Sequence, residues 1–174
     1  YHSPEEISEL HSRAGNWFAE NNLMDEAIRH LLAAGDVIGA AQVVEKNRQA
    51  MLDSDRWYLF EKWLSMLPDT VIQQRPELLL ARVWTLYHQF DLPAIPSVVD
   101  AVEALLKDDP MEQNLRGEID FFRGYIYYFQ NKGSLSLKHL QEALKLVPEK
   151  YHEIRGQIEI LYGLARQMQG QKED

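Results

Sequence analysis

The residues that could do chemistry are six histidines and many carboxylates. Glu149 and His152 form a Glu-x-x-His motif, and two such motifs take part in holding a pair of iron ions in helical bundles. That site needs two such motifs and two further glutamates, and the sequence has no second motif. No carboxylate pair stands out as an acid and base. We therefore expect no metal site, and we expect histidines such as His11 and His30 to make local hydrogen bonds at the edges of apolar stripes.

Motifs for nucleophilic and phosphate chemistry are absent from the sequence. There is no cysteine and no G-x-S-x-G, so neither a thiol nor a nucleophile-elbow mechanism finds support. No two glycines lie five positions apart, so the phosphate-binding G-x-x-x-x-G-K-[ST] loop is missing. We expect a protein that is not an enzyme and that holds no cofactor in this segment.

Composition restricts the classes of partner. The 174 residues include 18 Lys and Arg against 27 Asp and Glu, giving a net charge of −9. Such a balance argues against a general nucleic-acid-binding surface. With 45% hydrophobic residues the chain can build a core, and no apolar run approaches the ~18 residues of a membrane span. The lack of cysteine fits a reducing compartment, so we expect a cytoplasmic location without membrane contact.

Helical signals run through the whole chain. Ser3-Pro4-Glu5-Glu6 is a start signal with Ser as the cap, Pro at the first helical position and Glu three residues after the cap. Apolar residues then recur at helical spacing, with Trp17 and Trp63 at positions expected to face the core, and no useful segment alternates with a period of two. The sequence predicts about nine helices and no strands. The third helix is expected to be capped by Asp36 and to carry Ala40, Val43 and Val44. The expected bounds of the others are about 3–20, 23–34, 55–67, 76–90, 97–107, 109–130, 134–147 and 151–168.

We interpret residues 1–174 as one helical domain with an alternative boundary near residues 68–76. Because the chain starts at Tyr1 and ends in a polar run, we interpret it as a fragment of a longer protein. Short loops between helices favour either a compact bundle or a stack of helix pairs. Internal repetition distinguishes these two architectures.

One stretch carries a repeat pattern. Small, aromatic and large residues are spaced 3, 9, 4, 3 and 5 positions apart, at Gly124, Tyr127, Ser136, Leu140, Ala143 and Pro148. This pattern resembles the tetratricopeptide repeat, in which small residues let paired helices approach closely. The region 14–34 has the same register, whereas 76–107 matches poorly because Pro96 stands where a small residue belongs. The resemblance implies antiparallel helix pairs stacked as a right-handed solenoid.

A more specific resemblance covers residues 5–90. The runs Leu10–Asn21 and Asp25–Asp36 are followed in order by Trp63-Leu64, Leu67-Pro68 and Arg75–Leu80. This order is similar to the helical region of large MalT-like regulators of the LuxR class. The resemblance implies an ATP-binding module upstream, a DNA-binding helix-turn-helix downstream and a helical sensor between them. ATP and DNA would then be bound by segments outside this chain.

The segment Phe121–Phe129 is apolar on nearly all sides. It is either a central core helix or a helix with one face lining a groove. In the tetratricopeptide resemblance, the first helix of each pair lines the concave surface. That register directs six residues into the groove, namely Thr85, His88, Glu118, Phe121, Tyr125 and Tyr128.

Two functions remain open. The first is a sensor and interaction module of a MalT-like regulator, whose groove holds a small-molecule effector or a protein and so controls transcription. The alternative is a stand-alone tetratricopeptide-like scaffold that holds a peptide or protein partner. Exposed apolar ends of such a stack would also allow self-association.

Overall fold

The structure is a computed structural model that describes residues 3–106 and 112–170. Within those ranges it contains ten helices and no strand, which confirms the predicted all-helical class. They are α1 Pro4–Glu20, α2 Met24–Ala33, α3 Val37–Asp53, α4 Tyr58–Met66, α5 Asp69–Ile72, α6 Pro76–His88, α7 Ile95–Leu105, α8 Gln113–Phe129, α9 Gly133–Leu146 and α10 His152–Gly170. The helix that the sequence did not predict is α5, a single turn directly after Pro68.

Local sequence signals mark several helix starts. The Ser3 hydroxyl accepts from the backbone N–H of Glu6 at 3.2 Å, and the Glu6 carboxylate accepts from the Ser3 N–H at 2.8 Å, which confirms the predicted start of α1. Helix α7 starts two residues earlier than predicted, with Pro96 inside its first turn. Proline is tolerated there because the first N–H groups of a helix have no partner within it. The predicted start signal at 109–111 lies outside the described residues.

Five helices end in the same turn. The second residue after each of these helices has a positive φ of 54° to 79°, and these residues are Asn22, Gly35, Asp55, Phe90 and Asn131. In each turn the next N–H bonds to the carbonyl five residues back, as in the 2.9 Å bond from the Leu23 N–H to the Phe18 oxygen. Glycine, asparagine and aspartate tolerate this conformation, whereas phenylalanine rarely adopts it.

Small residues bring paired helices together. A Cβ on Gly15 of α1 would lie 2.8 Å from the Cγ of Leu31 in α2, and a Cβ on Gly124 of α8 would lie 2.7 Å from the Cγ of Leu140 in α9. Ser136 donates to the Gly124 carbonyl at 2.8 Å across the second pair. The two pairs therefore repeat one close approach, at the small and large positions that the spacing predicts.

Successive helices pack on one another, and α10 also contacts α3 and α8. The core includes Trp63, Phe60, Phe121 and Phe122, all at most 2% exposed. Trp17 is predicted at a core position, but it is 55% exposed in the structure. Its helix, α1, packs mainly on α2, so the opposite side of α1 faces solvent. None of the described helices is long and apolar enough to cross a membrane.

Candidate functional site

A cavity of about 350 Å³ lies between the end of α6, the second half of α8 and the middle of α10. Helices α6 and α8 supply an aromatic wall, together with Phe90, which lies two positions after the end of α6. Helix α10 supplies a wall of three aliphatic residues and Gln157. The lining residues are Tyr87, His88, Phe90, Tyr125, Tyr128, Phe129, Gln157, Ile160, Leu161 and Leu164.

Helical periodicity and ring packing position the aromatic wall. Tyr125 and Phe129 lie one turn apart on α8, and their ring centroids are 4.9 Å apart at 64°. Tyr87 of α6 meets Tyr125 edge to face at 5.0 Å. Edge-to-face pairs of this kind are favourable beyond the area they bury, so they hold the rings in defined orientations.

The polar groups of the cavity are few and uncharged at neutral pH. The Tyr87 hydroxyl donates to the Gln157 Oε1 at 3.0 Å. Burial raises the pKa of Tyr87, and it raises the pKa of Tyr125 to about 12. Both phenols therefore stay protonated and can act as hydrogen-bond donors.

His88 adds an imidazole at the edge of the cavity. Its ring stacks on Trp57 with centroids 4.8 Å apart at 4°. Burial lowers the pKa of His88, although the carboxylates of Asp55 and Glu153 oppose this shift. The imidazole is therefore neutral at pH 7, and none of the ten lining residues carries a full charge.

The structure brings three of the six predicted groove residues to this cavity, namely His88, Tyr125 and Tyr128. Thr85 lies elsewhere, with its hydroxyl donating to the Ala81 carbonyl at 3.1 Å. Glu118 and Phe121 are 1% and 0% exposed, which corrects their predicted position on a groove surface.

Both of those residues are buried because α3 and α6 cover them. The Glu118 carboxylate accepts two 2.7 Å hydrogen bonds from Arg48 of α3 and one of 2.7 Å from the Trp84 indole of α6. Although burial opposes the charge on Arg48, the Glu118 carboxylate raises its pKa above the ordinary value. Phe121 stacks on Trp84 with centroids 5.5 Å apart. This part of α8 is structural core.

The remaining lining residues were not singled out from the sequence. Phe129 belongs to the apolar run already noted, so its place could have been found. The signal for Phe90 is an aromatic residue at a helix end where the other turns have Asn, Asp or Gly. The α10 residues Ile160, Leu161 and Leu164 have helical spacing, but periodicity does not show which helix they face.

Three other histidines, His11, His30 and His139, lie within hydrogen-bond distance of another polar side chain. The Nδ1 atoms of His11 and His30 are 2.9 Å apart, and the His139 Nδ1 lies 2.7 Å from the Asp120 carboxylate. The local hydrogen bonding predicted for His11 and His30 is confirmed. Within residues 3–106 and 112–170, no group of three or more His, Asp or Glu side chains is arranged to hold a metal ion.

Comparison with known proteins finds similar segments in transcriptional regulators and in a protein kinase. The chain is 28% identical over 145 residues to the HTH-type transcriptional regulator MalT of Yersinia enterocolitica, covering 82% of this chain and 16% of that protein. It is 26% identical over 152 residues to MalT of Yersinia pestis, covering 86% and 17%. It is 30% identical over 130 residues to the serine/threonine-protein kinase PknK of Mycobacterium tuberculosis, covering 72% and 12%.

The chain thus spans less than a fifth of the length of each of these relatives. No protein-family model matches it, and no solved structure matches it. The predicted likeness to a MalT-like regulator is confirmed as similarity to a segment of such proteins. This similarity supports a transcriptional-regulator module.

Proposed function

We propose that this chain is a non-catalytic, effector-sensing and protein-interaction module of a LuxR-class, MalT-like transcriptional regulator. It would couple binding of a small molecule or partner to activation of transcription. The observation that carries this proposal is the aromatic-lined cavity between α6, α8 and α10. Small-molecule sites are typically concave and apolar, with a few placed polar groups, and this cavity has that composition.

The proposal includes a tetratricopeptide-like right-handed solenoid. The repeated close approach of Gly15 to Leu31 and of Gly124 to Leu140 supports it, as do the five identical helix ends. In such a stack the first helix of each pair lines the concave surface. Helices α6, α8 and α10 would be three such first helices, and the cavity would lie on that surface.

Signalling would follow from a ligand that contacts three helices at once. A ligand shifts a conformational equilibrium only if it binds one arrangement more tightly than another. A molecule between α8 and α10 would favour the arrangement of these helices in which side chains of both contact it. By resemblance to the family, an upstream module would bind ATP and a C-terminal module would bind DNA, in the cytoplasm.

A stand-alone scaffold that binds a peptide or protein is the second candidate. The observation that favours it is the apolar rim of the cavity, where Phe90, Phe129 and Ile160 are 81%, 57% and 63% exposed. Exposed apolar residues in one patch are typical of protein contact sites. A partner that binds the isolated chain at several salt concentrations, without any effect on transcription, would favour the scaffold.

A thermal-shift screen of metabolites tests the sensor. A ligand at 100 times its Kd should add about 2.7 kcal/mol, or roughly 5–10 °C for a domain of this size. The shift should be lost in Tyr128→Ala, which removes a cavity residue. It should persist in the matched control Tyr58→Ala, a 54% exposed tyrosine of α4 outside the lining. A ligand that stabilises both variants equally would contradict the assignment of the cavity.

A further inference from the structure

The charge of the cavity lining restricts the ligand. The chain carries a net charge of −9, yet no Asp, Glu, Lys or Arg is among the ten lining residues. A charged ligand would lose its hydration there without gaining a counterion, which is unfavourable. An uncharged ligand has no such penalty.

The polar capacity of the cavity restricts the ligand further. The lining offers three phenols, one imidazole and one amide, and two of these groups, on Tyr87 and Gln157, already bond to each other. A molecule with many hydroxyls would leave several of them without partners. A ligand with one or two polar groups on an apolar body would find hydrogen-bond partners for those groups in the lining.

The two walls differ in chemistry, and this suggests a shape. The rings of Tyr87, Tyr125 and Phe129 contact one another and form one wall, whereas Ile160, Leu161 and Leu164 of α10 form another. Aromatic faces and edges pack well against another flat ring, and aliphatic side chains cover its second face. A volume of about 350 Å³ is near the lower end for ligand pockets, which suits a small molecule of two or three rings.

Phe90 stands at the mouth of this cavity under an unusual backbone constraint. Its φ is 58°, and its side chain is 81% exposed. The equivalent turns use Asn22, Gly35, Asp55 and Asn131, which tolerate that conformation. A phenylalanine there strains the backbone and buries little apolar area in return. Strained residues of this kind are often found at ligand-binding positions.

From these features we infer that the cavity binds an uncharged, flat, mostly apolar small molecule, and that the Phe90 ring contacts this molecule at the mouth. The inference deepens the proposed function and rests on it for the role in signalling. Binding itself can be measured on the whole chain without knowledge of the natural effector.

Two dyes with one skeleton test the predicted charge. N-phenyl-1-naphthylamine is neutral, and 8-anilino-1-naphthalenesulfonate is the same ring system with an anionic group. Both fluoresce when they enter an apolar site. We expect one neutral dye to bind per chain, with a Kd at least about tenfold lower than that of the sulfonate. Equal or tighter binding of the sulfonate would overturn the inference.

Displacement of the neutral dye tests whether the cavity prefers a cationic ligand. Benzyltrimethylammonium and neopentylbenzene have the same shape, but only the first is a cation. We expect the neutral compound to displace the dye at least as well as the cation does. Stronger displacement by the cation would overturn the uncharged class, because it would show that the aromatic wall selects positive charge.

Phe90→Asn tests the role of the strained residue. We expect it to raise the midpoint of thermal unfolding by about 2–4 °C, because asparagine tolerates the turn. We expect it to weaken binding of the neutral dye about three- to tenfold, as the loss of one aromatic contact predicts. Ile38→Asn is the matched control: it changes a 50% exposed apolar residue of α3 outside the lining and should leave the dye affinity unchanged.

Three results would overturn the role of Phe90. They are unchanged dye affinity in Phe90→Asn, an equal loss in Ile38→Asn, and conversion of a wild-type dimer to a monomer by Phe90→Asn. The last result, seen by sedimentation, would make the mouth an interface between copies of the chain. If the dyes do not bind as predicted but Tyr128→Ala still abolishes the transcriptional response, the proposed function stands and only the ligand class is wrong.

Discussion

Arg48 and Glu118 are seventy positions apart in the chain and form two parallel hydrogen bonds of 2.7 Å inside the protein. Their side chains are 8% and 2% exposed. Trp84 donates to the same carboxylate, so one anion joins α3, α6 and α8. These three helices come from separate parts of the sequence, and the pair therefore fixes their relative positions beneath the cavity wall.

Removal of one partner of this pair should be costly. We expect Glu118→Leu to lower the free energy of unfolding by about 3–5 kcal/mol, because it leaves the Arg48 charge buried without a counterion. Urea denaturation followed by circular dichroism measures this change.

The double variant Arg48→Met with Glu118→Leu is the control for this prediction. It removes both charges, so it should recover part of the lost stability. If Glu118→Leu alone lowers the free energy of unfolding by less than about 1 kcal/mol, the buried pair does not fix the three helices as described.

Gly124→Ala tests the close approach of α8 and α9. The added Cβ would lie 2.7 Å from the Cγ of Leu140 and 3.3 Å from the Ser136 carbonyl oxygen. We expect a loss of about 1–3 kcal/mol in the free energy of unfolding, as overpacking of a core contact predicts.

Gly163→Ala is the matched control for that variant. Gly163 lies within α10, and a Cβ there would meet nothing within 4 Å. Alanine is a better helix former, so we expect a gain of about 0.5–1 kcal/mol. Loss of stability at Gly163, or none at Gly124, would contradict the described packing.

His88 should make the fold sensitive to acid. Because burial lowers its pKa, the folded state binds its proton less readily than the unfolded chain. The stability contributed by neutral His88 is therefore full above the unfolded pKa of about 6.5 and is lost as the pH falls below it. We expect the wild type to lose more stability between pH 7.5 and pH 5.5 than His88→Gln loses.

Comparison of the wild type with His88→Gln separates the effect of His88 from that of groups whose protonation changes stability in the opposite direction. Burial raises the pKa of Glu45 and of Asp120, so their contribution to stability grows as the pH falls. Both groups are present in the wild type and in His88→Gln. Identical pH dependence of urea denaturation in the two proteins would show that His88 is not desolvated as described.

Local chemistry made much of the fold predictable. The Ser3 cap, the Asp36 cap and the Pro76 start are short-range signals, and each marks a helix start in the structure. The small residues at Gly15 and Gly124 also indicated where helices approach. These features depend on neighbours within one or two turns, or on a fixed spacing, so the sequence displays them directly.

The site was less predictable because it depends on which helices cover which faces. Periodicity placed Glu118 and Tyr125 on similar sides of α8, but α3 covers the first and leaves the second at the cavity. Arg48 gave no signal, since its partner is far away in the sequence. Trp17 was predicted to be buried, yet the side of α1 that carries it lies away from α2.

The most direct measurement is transcription in cells that carry the full-length regulator containing this segment and a reporter under its control. We expect Tyr128→Ala, present at normal protein level, to abolish the response to inducing conditions or to lock it in one state. The control Tyr58→Ala should respond as the wild type does. A normal response from Tyr128→Ala would show that this cavity is not the sensor.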